Sequence, residues 1–146
     1  MLPPALIPVL AAAIRFASPD VPLERATRYA TDYAAVASDI DEGFALVSTA
    51  RVEGVFDPRV ETCARTGDHG RSVSMFQLRR HWWGGHTRAE VCRSNRLAAW
   101  LALRALRAMG FERAPDEAFR RYVGCSARDR RVSFRVNLWR TLRKVA

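Results

Sequence analysis

Apolar residues recur along this chain mostly at steps of three and four, the spacing of one helix face. After an apolar N-terminal segment, Ser18-Pro19-Asp20 breaks the pattern, and a helix is expected to start near Pro22, since proline suits a first helical turn. Leu23, Ala26, Ala30, Tyr33 and Ala37 form its stripe. A second helix is predicted from about Asp41 to Glu53, with Phe44, Val47 and Ala50 on one side and Gly54 as its stop. From Asp57 to Thr87 the helical period disappears. Gly67, Gly70, Gly84 and Gly85 mark this stretch as loops, with short strands around Ser72 to Leu78. The clearest helix follows: Ser94 caps it, Leu97, Trp100, Leu101, Leu103, Leu106 and Met109 give a broad apolar stripe, and Gly110 ends it. Shorter helices from about Pro115 to Tyr122 and from Val136 to Arg143 complete a mainly α domain. Its loop-rich middle, set between helices, is where chemistry is expected.

The opening stretch, MLPPALIPVLAAAIRFAS, is too short and interrupted to span a bilayer. It resembles the core of a signal peptide, but no positive charge precedes the apolar run, so the expectation is a helix packed on the domain. A chain of 146 residues is expected to be one domain, residues 1–146, with residues 1–20 as this separate N-terminal feature.

Charge changes the picture. The net charge is +9, and of 24 basic residues only Lys144 is lysine. Such a surplus implies a polyanionic neighbourhood: nucleic acid, an anionic membrane face or an anionic cell-wall polymer. From Arg120 to Lys144 there are nine basic residues and one acid, Asp129. No helix-turn-helix, zinc-finger or RNA-binding motif accompanies them, so specific nucleic-acid binding is not expected, and a basic nucleic-acid-binding protein is the least favoured alternative. Three cysteines, Cys63, Cys92 and Cys125, contain no CxxC pair. They leave open a Cys63–Cys92 bridge, three free thiols, or a metal site shared with the nearby histidines, although the spacing matches no zinc pattern.

Against this basic background one carboxylate stands out. In TARVEGVFDPRV, Glu53 sits in the last turn of the predicted helix, followed at once by Gly54 and an Asp57-Pro58 turn. The negative end of the helix dipole disfavours ionisation there, and so would burial against Phe44, Phe56 or Phe76. A carboxylic acid still protonated near neutral pH is what general-acid attack on a glycosidic oxygen requires.

The residues that follow give Glu53 company. Glu53, Gly54, Phe56 and Pro58 precede GDHGRSVSMFQL, with Asp68, Gly70, Ser74, Met75, Phe76 and Gln77, and later the Ser94–Gly110 helix and Tyr122-Val123-Gly124-Cys125. This order resembles the lysozyme-like superfamily, in particular goose-type lysozymes and soluble lytic transglycosylases, over roughly residues 41–125. Ser74 stands where that family has glycine, and Val123-Gly124 replaces its Asn-Ala pair. The resemblance implies an α+β lysozyme-like fold whose central region lies beside an active-site groove. It also implies cleavage of the β-1,4 bond between N-acetylmuramic acid and N-acetylglucosamine in peptidoglycan, outside the cytoplasm and without a cofactor. Glu53 would be the general acid. Asp68 would activate water from the opposite face, at the roughly 6.5–9.5 Å carboxyl separation of inverting enzymes. If Asp68 is only a turn residue, the substrate's own hydroxyl would attack, as in a transglycosylase. Ser74, Gln77 and Tyr122 would line the saccharide groove, and Trp82 of the Trp82-Trp83 pair could stack on sugar or fill the core. The partners implied are glycan strands and anionic wall polymers. Departures at Ser74 and Val123 keep a second expectation in view, a lysozyme-like domain without catalysis.

Overall fold

The computed structural model describes residues 1–123 and 129–146, with all their side chains except those of Asp68 and Val123. The described residues form eight α-helices and one short antiparallel hairpin: α1 (Ile7–Ala17), α2 (Leu23–Val36), α3 (Ile40–Glu53), α4 (Pro58–Glu61), β1 (Ser72–Val73), β2 (Leu78–Arg79), α5 (Arg88–Arg93), α6 (Asn95–Ala108), α7 (Pro115–Val123) and α8 (Arg130–Val145). The mainly helical class with short central strands is therefore as expected. No helix among the described residues is long and apolar enough to cross a membrane.

α3 is the axis of the molecule. Residues 42–50 are all buried, because α1, α2, α6 and α8 pack around it. A helix apolar on nearly every side is stable only when surrounded in this way. Asp39 starts it by accepting from the Glu42 backbone N–H. Glu42, itself buried, accepts from the Ser38 backbone N–H and from Arg107 of α6 at 2.6 and 2.7 Å. Burial alone would raise the Glu42 carboxyl; the bonds from Arg107 and Ser38 outweigh it and hold the group below its ordinary range.

The N-terminal apolar segment packs as a helix. α1 buries Leu10, Ala11, Ala13 and Ile14 against α2 and α3, and the Leu2 backbone N–H donates to the Ala34 carbonyl at 2.7 Å. Three elements depart from the sequence pattern, the first being α4, a four-residue helix inside the stretch expected to be loops. α5 is an extra short helix, begun by a Thr87–Glu90 capping box. α8 begins at Arg130, six residues ahead of the expected Val136, and so takes in Arg135.

The segment after α3 is tied down from several sides. Glu61 of α4 accepts from both Arg28 Nη atoms at 2.6 and 2.8 Å and from the Tyr29 hydroxyl at 2.8 Å. Cys63 and Cys92 are joined by a disulfide, with Cα atoms 5.6 Å apart. The bridge spans 29 residues and closes the whole hairpin region into one loop. It also takes both sulfurs away from any metal site.

Candidate functional site

Local geometry is unusual directly after Glu53. Gly54 ends α3 with φ of −115°, so left-handed freedom is not why glycine stands there. Space is. A Cβ on Gly54 would lie 2.4 Å from Met75 Sδ and 2.5 Å from the Met75 carbonyl oxygen. The end of α3 and the hairpin turn thus meet backbone to backbone. The left-handed residues are the next two, Val55 at φ 47° and Phe56 at 54°. A β-branched residue in this region is an outlier, held only where the surroundings over-determine it. The buried Phe56 ring, 5.6 Å from the Tyr29 ring, is part of that hold.

The hairpin turn has the same character. Ser74 (φ 69°) and Gln77 (φ 49°) are both left-handed, and Met75 and Phe76 between them are fully buried in the core. Gln77 donates from its backbone N–H and its Nε2 to the Ser74 carbonyl at 3.1 and 3.0 Å, which closes the turn. The Gln77 amide oxygen lies against the bare Cα of Gly67, where a Cβ would come within 2.2 Å of it.

These constraints shape a cavity of about 630 Å³. Glu53 and Val52 from α3, Gln77 and Leu78 from the hairpin, Trp82 from the following turn, and Tyr122 from α7 all line it. Four of the residues singled out from the sequence, Glu53, Gln77, Trp82 and Tyr122, are thereby brought together. Ser74 is placed elsewhere: it is buried at the base of the turn, its Oγ accepting from the Phe76 backbone N–H at 3.4 Å, and the cavity wall has Ser72 instead. The backbone of Asp68 begins a short turn at residues 68–70, while its side chain lies outside the described set. Gly124 and Cys125, the continuation of the expected tyrosine segment, lie outside the described residues.

Tyr122 is engaged differently from the expectation. Its hydroxyl donates to the Phe76 carbonyl at 2.8 Å, locking α7 to the hairpin turn. Burial pushes the phenol well above its ordinary range; the nearby Glu53 carboxylate adds to the shift and Arg135 opposes it. Tyr122 therefore stays a neutral donor and offers the cavity its ring.

The residue that the sequence reading missed is Arg135 of α8. Its guanidinium is fully buried, donates from Nη2 to Glu53 Oε1, and lies 5.2 Å from the Tyr122 ring centroid and 5.8 Å from that of Phe119. Its Nε and Nη1 find no acceptor among the described residues, and Glu53 is its only acidic partner there. Glu53 Oε2 accepts no hydrogen bond among the described residues. The sequence did carry a signal. Arg135 shares a helical face with Val132, Leu138, Trp139 and Leu142, so a charge stands inside an apolar stripe. A buried arginine at such a position needs a partner, and a carboxylate was the one to look for.

Glu53 is the single acid among the described lining residues, and Arg79, Arg121 and Arg131 stand on the same walls. Arg121 and Arg131 also pair with Glu117 and Asp129 at 3.1 Å each. No protein-family model, no characterised protein and no solved structure matches the chain.

Proposed function

We propose that this protein cleaves the β-1,4 bond between N-acetylmuramic acid and N-acetylglucosamine in peptidoglycan, with Glu53 as the acid–base residue. One observation carries the reading. Glu53, Gln77, Trp82 and Tyr122 come from four separate segments, yet all line one open cavity of about 630 Å³. That is within the size of pockets that hold a small ligand. A carboxylate, an amide and an aromatic wall are the groups a glycosidase needs.

In this mechanism the ion-paired Glu53 carboxylate first takes a proton from solvent on Oε2, the atom with no protein donor among the described residues, and then passes it to the bridging oxygen. The C1–oxygen bond breaks, and positive charge develops on the sugar, stabilised by the substrate's acetamido group. The carboxylate left behind is held by Arg135. It then takes a proton either from water, giving hydrolysis, or from the substrate's own C6 hydroxyl, giving a 1,6-anhydro end. With Asp68 as the water-activating partner the route is hydrolytic. The disulfide fits an oxidising location outside the cytoplasm.

The Arg135–Glu53 ion pair also favours a second reading, a saccharide-binding cleft without cleavage, because the pair occupies one oxygen of the only acid among the described residues that line the cavity. Incubation with purified peptidoglycan followed by mass spectrometry of released muropeptides separates the two. Reducing ends are the product of hydrolysis, and 1,6-anhydro ends that of transglycosylation. Absence of both from a folded parent protein leaves the binding reading. Activity that survives Glu53→Gln removes Glu53 from the mechanism, and an Asp68→Asn protein that still yields reducing ends removes Asp68.

A further inference from the structure

A second cavity, of about 560 Å³, adjoins the first; Arg79 and His81 line both. Its other described walls are His69, Arg71, Arg80 and Trp83, with no acid among them. Arg71 and Arg80 are exposed and have no acidic partner among the described residues. Arg71 and Arg80 on one concavity create a local field that concentrates anions, and a guanidinium fork matches carboxylate and phosphate geometry. The indole frame beside them is fixed: Trp83 Nε1 donates to the Leu78 carbonyl at 3.1 Å. Consecutive tryptophans thus line adjoining cavities, Trp82 the one holding Glu53 and Trp83 the one holding Arg71 and Arg80.

The geometry points to an oxyanion subsite in this second cavity, one that takes a carboxylate or phosphate borne by the same saccharide strand that crosses Glu53. The saccharide part of this assignment rests on the function proposed above. A strand running from Glu53 past Trp82 and Trp83 meets an acid and two aromatic faces before it meets Arg71 and Arg80. A fixed carboxylate in the path disfavours a nucleic acid, whose charge repeats at every residue, and suits a polymer whose anions are spaced branches.

The two sources of oxyanion are carboxylates on peptide branches and phosphates on attached wall polymers. The test is binding to insoluble cell walls by sedimentation, in low and raised salt, for the parent and Arg71→Gln/Arg80→Gln. Both positions are exposed and have no acidic partner among the described residues, so thermal melting of the double variant is expected to match the parent. The parent should bind walls about tenfold more tightly than the variant at low salt, converging as salt rises, while both bind neutral N-acetylglucosamine hexamer equally. Loss of the difference on walls stripped of peptide assigns the carboxylates, and loss on walls stripped of phosphate assigns the phosphates. Equal binding of parent and variant to untreated walls overturns the subsite. Tighter binding of the parent to single-stranded DNA than to walls overturns the saccharide assignment. Because sedimentation needs no turnover, the two proposals fail separately. Cleavage with variant-insensitive binding removes only the subsite, and variant-sensitive binding without muropeptide release removes only the cleavage.

Discussion

Replacing Glu53 by glutamine should unfold this protein more readily than replacing Arg135, and replacing both should restore most of the loss. The reason is an asymmetry of exposure. The Arg135 side chain is 0% exposed and the Glu53 side chain 15%, so Glu53→Gln strands a cation with no water, whereas Arg135→Met leaves a carboxylate that the cavity can hydrate. Breaking a buried pair from one side costs about 3–5 kcal/mol. We expect Glu53→Gln to cost about 4 kcal/mol, or roughly 10–15 °C in melting temperature for a domain of this size. Arg135→Met should cost less, about 2–3 kcal/mol, part of it the lost contact with the Tyr122 and Phe119 rings. The double variant carries neither charge and should lie within about 2 kcal/mol of the parent. Urea unfolding of the four proteins gives the coupling energy directly. A coupling below about 0.5 kcal/mol, the level seen between independent sites, would refute the pair as the support of the cleft floor. The same cycle guards the activity assay, since Glu53→Gln can abolish cleavage by unfolding alone.

Three further outcomes follow from the geometry. Opening the Cys63–Cys92 bridge, by reduction or by Cys63→Ser/Cys92→Ser, removes a 29-residue cross-link and should cost about 3.6 kcal/mol from loop-closure entropy, read as a lower urea midpoint. An unchanged midpoint would show that the hairpin region is held without it. Gly54→Ala should destabilise by about 1–3 kcal/mol through collision with Met75, whereas Gly85→Ala should be governed by its left-handed φ of 87° alone, with nothing within 4 Å to meet; calorimetry of the pair tests this, and a neutral Gly54→Ala contradicts the close approach. Glu42 is depressed in the folded state, so its stabilisation is fully present above the ordinary carboxylate range and fades as pH falls through that range and below. Glu42→Gln should therefore cost about 2 kcal/mol at pH 7 and progressively less in acid, and a pH-independent difference would contradict the assignment.

What the sequence revealed about this molecule divides along the range of the interactions involved. α2 and α6 were legible because their apolar stripes, the proline at residue 22 and the Ser94 cap act within a few residues. α5 escaped because six residues give too little periodicity, although its Thr87-x-x-Glu90 cap was there to be read. Gly54 was read correctly as the end of α3 but for another reason: the pressure on it comes from Met75 in a different segment. Candidate residues Glu53, Gln77, Trp82 and Tyr122 were each visible in the sequence. Their convergence depends on α8 lying against α3 and on the Tyr122–Phe76 hydrogen bond, neither of which has a local signature. Arg135 escaped because it lies one residue ahead of the expected Val136–Arg143 helix, outside the stripe whose interruption would have marked it.

That misplacement bears on function. Most of the fold obeys local rules: capped helices, buried apolar stripes and acids paired with arginines, as at Glu42, Glu61 and Glu117. Left-handed backbone recurs at Cys63, His69, Ser74 and Gln77, and other buried polar atoms lack partners among the described residues, but one carboxylate has both kinds of exception beside it. Val55 and Phe56 are left-handed, each at a cost of order 1–3 kcal/mol, and a fully buried arginine beside Glu53 carries two N–H-bearing atoms with no acceptor among the described residues. An apolar pair in place of Glu53 and Arg135 would often be as stable or more so. A domain kept only as a scaffold has no reason to retain the costlier arrangement. A domain that must hold one acid at the floor of a cleft, with one oxygen anchored and the other left for a substrate, has that reason. The Glu53→Leu/Arg135→Met protein decides between them: the scaffold reading expects unchanged or higher stability with wall binding intact, and the enzymatic reading expects that stability together with complete loss of muropeptide release.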